Sequence, residues 1–136
     1  MIVLDANVWI SSIQPNEDHH EVSRRFRSRW RAEGIQVHVP AHFLVEVTAT
    51  IARNTESEAL GLDAFQAVID NPHITRAPLS STLVESAARA AARCRLRASD
   101  ALYVALAQEL GVPLLTWDDE LLDRARVLVD VRVPTA

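Results

Sequence analysis

The sequence predicts an α/β fold whose mainly parallel sheet, of about five strands, is flanked by helices. Three observations support this. Short apolar runs end at turn or charged residues, longer segments carry apolar residues at helical spacing, and the two kinds alternate along the 136 residues. No linker, repeat or low-complexity stretch interrupts the alternation, so residues 1–136 are expected to form a single domain.

Ile2-Val3-Leu4 reads as a strand buried on both faces and ends at Asp5. A short turn region follows. Asn16 can then cap a helix through Glu33, with Glu17, Asp18 and Glu21 first and the arginines later, as the helix dipole favours. Val22, Phe26 and Trp30, four residues apart, form its apolar stripe. Gly34 ends that helix, and Ile35, Val37 and Val39 alternate as a second strand up to Pro40. The next helix carries Phe43, Leu44, Val47 and Ile51, and another runs from Ser57 to Ile69, where Asn71-Pro72 breaks it. A third strand spans His73 to Ala77. Two helices are expected from Ser80 to Arg93 and from Ser99 to Leu110, the second closed by Gly111. Pro113 to Thr116 makes the fourth strand and Asp118 to Arg126 a short helix. Val127, Val129, Val131 and Val133 share one side of a closing edge strand, with Asp130 and Arg132 opposite.

Composition removes several functional classes. Cys94 is the only cysteine, which excludes internal disulfides and cysteine-based zinc sites and suits a reducing cytoplasm, the expected location. Met1 runs straight into the first strand with no leader-like segment, and no uncharged run, residues 35–45 being among the longest, is long enough to span a bilayer. All 14 basic residues are arginine, so chemistry that needs a lysine ammonium or Schiff base is unavailable. That weakens aspartyl phosphotransfer, whose usual forms place a lysine near the phosphate. Only 3 glycines and no glycine-rich phosphate loop weaken nucleotide-binding folds. At a net charge of −4, contact with nucleic acid would need local arginine patches and a metal ion.

Four acids stand out: Asp5, Glu46, Asp100 and Asp118. Each lies at the end of an apolar run or on an apolar helix, where an isolated carboxylate is costly. If the strands are parallel, Asp5 and Asp118 project to one sheet edge, where open α/β sheets bind ligands. Each acid also has an ordinary alternative. Asp5 can cap the next turn. Thr116 and Asp119 can form a variant capping box around Asp118. Glu46 can sit at the boundary of its apolar face or pair with Arg53. Asp100 can simply follow a Ser99 cap.

Ile2-Val3-Leu4-Asp5-Ala6-Asn7-Val8 closely resembles the opening of PIN-domain ribonucleases, particularly the VapC-type toxins of bacterial toxin–antitoxin pairs. Leu44-Val45-Glu46-Val47 resembles the family's second acidic motif, Ser99-Asp100-Ala101-Leu102-Tyr103-Val104-Ala105-Leu106-Ala107 the third, and Leu114-Leu115-Thr116-Trp117-Asp118 the fourth, with Asp119 as the competing acid. The resemblance covers residues 2 to about 125 and implies a single PIN-like domain. It implies RNA hydrolysis with Mg²⁺ or Mn²⁺, Asp5 and Asp100 as principal ligands joined by Asp118, and Glu46 as outer ligand or water orienter. Asn7 matches the family's small polar residue two after the first acid, where a hydrogen bond to a ligand or to water at the metal is implied. The implied partners are a cognate antitoxin and the RNA substrate, with the chain forming a homodimer. The non-enzymatic alternative is a catalytically inactive PIN-like scaffold for an antitoxin and its DNA complex.

Arg89, Arg93, Arg95 and Arg97 lead into Asp100, and Arg95 and Arg97 are the candidate phosphate contacts. Arg24, Arg25, Arg27, Arg29 and Arg31 cluster on one helix, either as a solvated face or as a track for RNA or an acidic partner. His42, four before Glu46, can share its face. Trp117 is read as a packing residue, with base stacking as its alternative.

Overall fold

The computed structural model describes residues 1–136. Its five strands are β1 (Ile2–Leu4), β2 (Val37–Pro40), β3 (Ile74–Ala77), β4 (Leu114–Leu115) and β5 (Val131–Arg132). All pairings are parallel, in the order β3-β2-β1-β4-β5. The helices are α1 (Ala6–Ile13), α2 (His20–Glu33), α3 (Phe43–Thr55), α4 (Glu58–Ile69), α5 (Ser81–Cys94), α6 (Ala98–Leu110) and α7 (Asp119–Arg124).

The sheet order explains where a site can form. From β1 the chain winds outward through β2 to β3, then returns to the other side of β1 as β4 and β5. The connections therefore diverge between β1 and β4, and at such a switch point the loops leaving the carboxyl ends open a crevice. Val3 pairs with Leu114 and Leu4 with Leu115, so the residues that follow, Asp5 and Thr116, emerge side by side.

One cluster of 28 buried residues packs around this sheet. Val3, Leu4, Val37, Val39 and Leu114 are fully buried, as expected of strands covered on both faces. Trp9 of α1 stacks on Trp30 of α2 at 6.1 Å, and Phe26 meets Trp30 edge-on. Gly61 lets α4 lie close against Ala52 of α3, a contact that a Cβ would bring to 2.8 Å.

Several boundaries differ from the sequence reading. The turn region after Asp5 is α1, a helix of 8 residues that buries Val8, Trp9 and Ile10. The following helix begins at His20, so Asn16 lies in the preceding turn and caps nothing. Its buried stripe is Ser23, Phe26 and Trp30; Ser23 takes the inward place expected of Val22 because its hydroxyl finds partners there. Strand β2 starts at Val37, after Ile35 has closed the Gly34 turn by donating its N–H to the Trp30 carbonyl. The closing strand shrinks to Val131–Arg132, since Ala125–Val127 forms a 3₁₀ turn that leaves Val127 exposed.

Candidate active site

Each of the four acids stands at the start of a helix at the carboxyl edge of the sheet. Asp5 is the N-cap of α1 and Asp118 the N-cap of α7, while Glu46 and Asp100 lie in the first turns of α3 and α6. The positive ends of four helix dipoles therefore face the carboxylates and partly offset their mutual repulsion. Asp5 realises its capping alternative and accepts the Asn7 N–H at 3.4 Å; the box of Thr116 and Asp119 does not form, because Asp118 is itself the cap and accepts the Leu121 N–H at 2.9 Å. A capping carboxylate keeps a free lone pair on each oxygen, so the cap does not exclude a site role.

Thr116 ties β1 to β4. Its hydroxyl is fully buried, donates to Asp5 Oδ2 at 2.7 Å, and accepts the Asp118 N–H at 3.0 Å and Asn7 Nδ2 at 3.2 Å. Asn7 in turn accepts the Trp117 N–H at 3.2 Å. Asp5, Asn7, Thr116 and Asp118 thus form one network across the switch point.

Glu46 anchors a second network. Its Oε1 receives His42 Nε2 at 2.8 Å, the Ser99 hydroxyl at 2.5 Å and the Tyr103 hydroxyl at 3.1 Å. Arg53 is not its partner. Ser99 lies inside α6 and binds Glu46 rather than capping the helix; the cap position belongs to Arg97. Glu46 Oε2 takes no part in these bonds and remains available as an acceptor.

Electrostatics joins the two networks. Burial pushes the Asp5 carboxyl up to about 7 against the pull of its bonds to Thr116 and Asn7, and the charges of Asp100 and Glu46 add to the rise. Burial also lifts Asp100 to about 6, reinforced by Asp118 and Glu46, with Arg97 acting the other way. Burial opposes ionisation of Glu46 too, but the hydrogen bonds from His42, Ser99 and Tyr103 outweigh it and hold this carboxyl below its usual range. Burial raises the Tyr103 hydroxyl well above its ordinary value, which keeps it a donor. As placed, no three acidic, histidine or cysteine side chains close round one ion, and the acids act on one another in pairs. The donors are carboxylate, hydroxyl and amide oxygens with no thiolate among them, a set that suits Mg²⁺ or Mn²⁺.

Of the two adjacent aspartates, Asp118 is half-buried and raises Asp100, whereas Asp119 is exposed. The charge of Arg97, which is 77% exposed, reaches Asp100, while Arg95 ends α5 in a left-handed conformation and accepts Arg124 at its carbonyl. In the α2 cluster, Glu21 holds Arg24 and Arg25, and Arg27 lies over Trp9, which makes that helix face largely a solvated, internally paired one. A cleft of about 480 Å³ beside Gln14, Ile51, Asn54 and Leu60 is lined by none of the four acids.

Sequence reasoning missed the roles of Thr116, Ser99 and Tyr103. Thr116 follows two leucines and precedes Asp118 by two, and Ser99 and Tyr103 lie four apart on α6 as a polar pair on an apolar helix; those were the signals.

Residues 2–128 match the PIN domain family model. Among curated proteins of Mycobacterium tuberculosis strain H37Rv, ribonuclease VapC12 is 36% identical over 125 residues, covering 89% of each chain. Ribonuclease VapC3 of the same strain is 32% identical over 123 residues, covering 88% of this chain and 84% of that protein. The crystal structure of M. tuberculosis VapC20, described as a toxin that cleaves the sarcin-ricin loop, superposes with a TM-score of 0.76 at 20% identity, over 97% of this chain and 99% of that one. VapBC2 of Rickettsia felis, bound to a fragment of its promoter DNA, gives 0.74 at 11% identity over 98% of each chain. At those identities the two structures speak for the fold alone. The extent of the family match, together with the curated relatives, establishes that this chain belongs to the PIN-domain family and to its VapC-type members.

Proposed function

We propose that this chain is a divalent-metal-dependent endoribonuclease, the toxin of a toxin–antitoxin pair, with residues 1–136 as one nuclease domain. The observation that carries the reading is that Asp5, Glu46, Asp100 and Asp118 stand at four helix starts round the switch point, where burial first and neighbouring charges second raise Asp5 to about 7 and Asp100 to about 6. Asp5 and Asp100, held in this way, resist ionisation and gain most from a cation. The ribonuclease names of the curated relatives support the same activity.

Asp5, Asp100 and Asp118 are the proposed holders of Mg²⁺ or Mn²⁺, with Glu46 beyond them. When bound, such an ion offsets charge developing on the scissile phosphate and lowers the pKa of water. The protein's part is positional. Thr116 fixes Asp5 on one side; His42, Ser99 and Tyr103 fix Glu46 as an ionised acceptor that can orient a water through Oε2. Asn7, Arg95 and Arg97 are the proposed contacts to substrate. Arg97 is the more direct of the two arginines because its charge already reaches Asp100.

An antitoxin is the proposed protein partner, and the chain is expected to dimerise. The toxin–antitoxin titles of the structural relatives support a partner, as do exposed Val45, Leu60 and Leu62 along α3 and α4. The test is incubation of purified protein with a total RNA pool, with Mg²⁺, Mn²⁺ or EDTA, alongside Asp5→Asn. Cleavage that needs metal and is lost in the folded variant is expected. EDTA-sensitive cleavage retained by Asp5→Asn refutes the assignment.

A further inference from the structure

We propose that His19 and Trp117 form a stacking shelf for one unpaired base of the substrate; this rests on the ribonuclease reading. The imidazole of His19 lies on the indole of Trp117 with ring centroids 3.8 Å apart and planes within 6°. That is close, parallel, face-to-face packing between residues nearly a hundred positions apart in the chain.

Packing does not account for it. Trp9 and Trp30, which also stack, are 4% and 1% exposed and belong to the core, whereas Trp117 is half-buried and His19 is exposed. Helix capping does not account for it either. His19 occupies the N-cap position of α2, yet its side chain makes no capping bond and turns onto the indole instead.

The indole beneath is held at both ends. Its Nε1 donates to Ser23 Oγ at 2.8 Å, and Ser23 meets Ser11 Oγ at 2.6 Å. Its backbone N–H donates to Asn7, the residue that also binds Thr116. Trp117 is therefore a rigid plate flanked in sequence by Thr116 and Asp118. A phosphodiester lying against the acids would carry a neighbouring nucleotide over this rim. One face of the imidazole rests on the indole, and the residue is exposed, so the shelf offers the ring's other face. A base there would continue an existing stack with little ordering cost, independently of sequence, since every base has a π-face. Bases inside a duplex have their faces covered by stacked neighbours, so the shelf selects single-stranded segments.

The experiment uses the full chain and a short oligoribonucleotide without self-pairing. Binding is followed by tryptophan fluorescence in the Asp5→Asn background, where Trp117 is the half-exposed indole. Quenching on binding is expected, with affinity about five- to tenfold weaker in His19→Ala, restored in His19→Phe, and weaker for a duplex of the same sequence. In the cleaving protein, His19→Ala should raise KM by the same factor with kcat nearly unchanged. Unchanged affinity and KM in His19→Ala overturn the shelf while leaving the nuclease reading intact, and weakened binding of a protein partner alone would reassign the surface. If the metal-loaded parent cleaves no RNA but the His19-dependent quenching remains, the nuclease reading fails and the base shelf stands. Absence of quenching by any single strand overturns the shelf.

Discussion

Raising the pH from 5 to 8 in EDTA should destabilise the metal-free fold by about 3 kcal/mol, most of it through Asp5. In the unfolded chain Asp5 is ionised above its ordinary value of 3.8, but in the fold it keeps its proton until about pH 7. A carboxyl raised on folding contributes its full stability at low pH and loses it as pH rises through the folded value. Across the two units between pH 5 and 7, each worth about 1.4 kcal/mol, Asp5 accounts for roughly 2.5 kcal/mol. Asp100, raised to about 6 but partly open to solvent, adds less than about 1 kcal/mol after screening. Glu46 is shifted downward, so its contribution disappears only on acidification below its ordinary range and does not intrude above pH 5. The assay is urea denaturation followed by circular dichroism at each pH, for the parent and for Asp5→Asn. The variant, neutral at every pH, should lose most of the slope and exceed the parent in stability at pH 8. Mg²⁺ should restore the parent at pH 8 and do little at pH 5, because it binds the ionised acids. A parent whose stability is flat or rises from pH 5 to 8, or an equal slope in Asp5→Asn, refutes the reasoning.

Thr116→Val keeps the volume but removes the donor to Asp5 and the acceptor for Asp118 and Asn7. It should cost about 2–4 kcal/mol by chemical denaturation and push Asp5 further up. Gly61→Ala should lower the melting temperature, because the overpacking of about 1–3 kcal/mol against Ala52 exceeds the helix-propensity gain of about 1 kcal/mol; a stabilised variant would show that α3 and α4 can part there. Arg97→Ala should weaken RNA binding across sequences and make its salt dependence shallower by about one ion, with Arg95→Ala affecting it less.

The sheet and the acidic rim were legible because they depend on local chemistry. Ile2-Val3-Leu4 and Leu114-Leu115 are too short and apolar for anything but buried strands, and an acid within reach of each strand end marks the edge at which they finish. Helix α1 was not legible. Asp5-Ala6-Asn7 offers the same side-chain-to-N–H bond to a turn and to a helix cap, and Trp9 and Ile10 declare a helix only once Trp30 and Phe43 surround them. The valine alternation after residue 126 misled because Ala125 is drawn fully into the core, and that twists the chain into a 3₁₀ turn. The Thr116 and Ser99 bonds span 111 and 53 residues, and no local pattern encodes which hydroxyl will meet which carboxylate.

Mn²⁺ titration of the metal-free chain, with bound ion counted by electron paramagnetic resonance, tests most directly whether the four acids make one cation pocket. Binding by the parent is expected, at least about tenfold weaker in Asp5→Asn and in Asp100→Asn, and unchanged in Asp130→Asn, an exposed acid paired with Arg132. Equal Mn²⁺ affinity in all four proteins, or none in the parent, would contradict it.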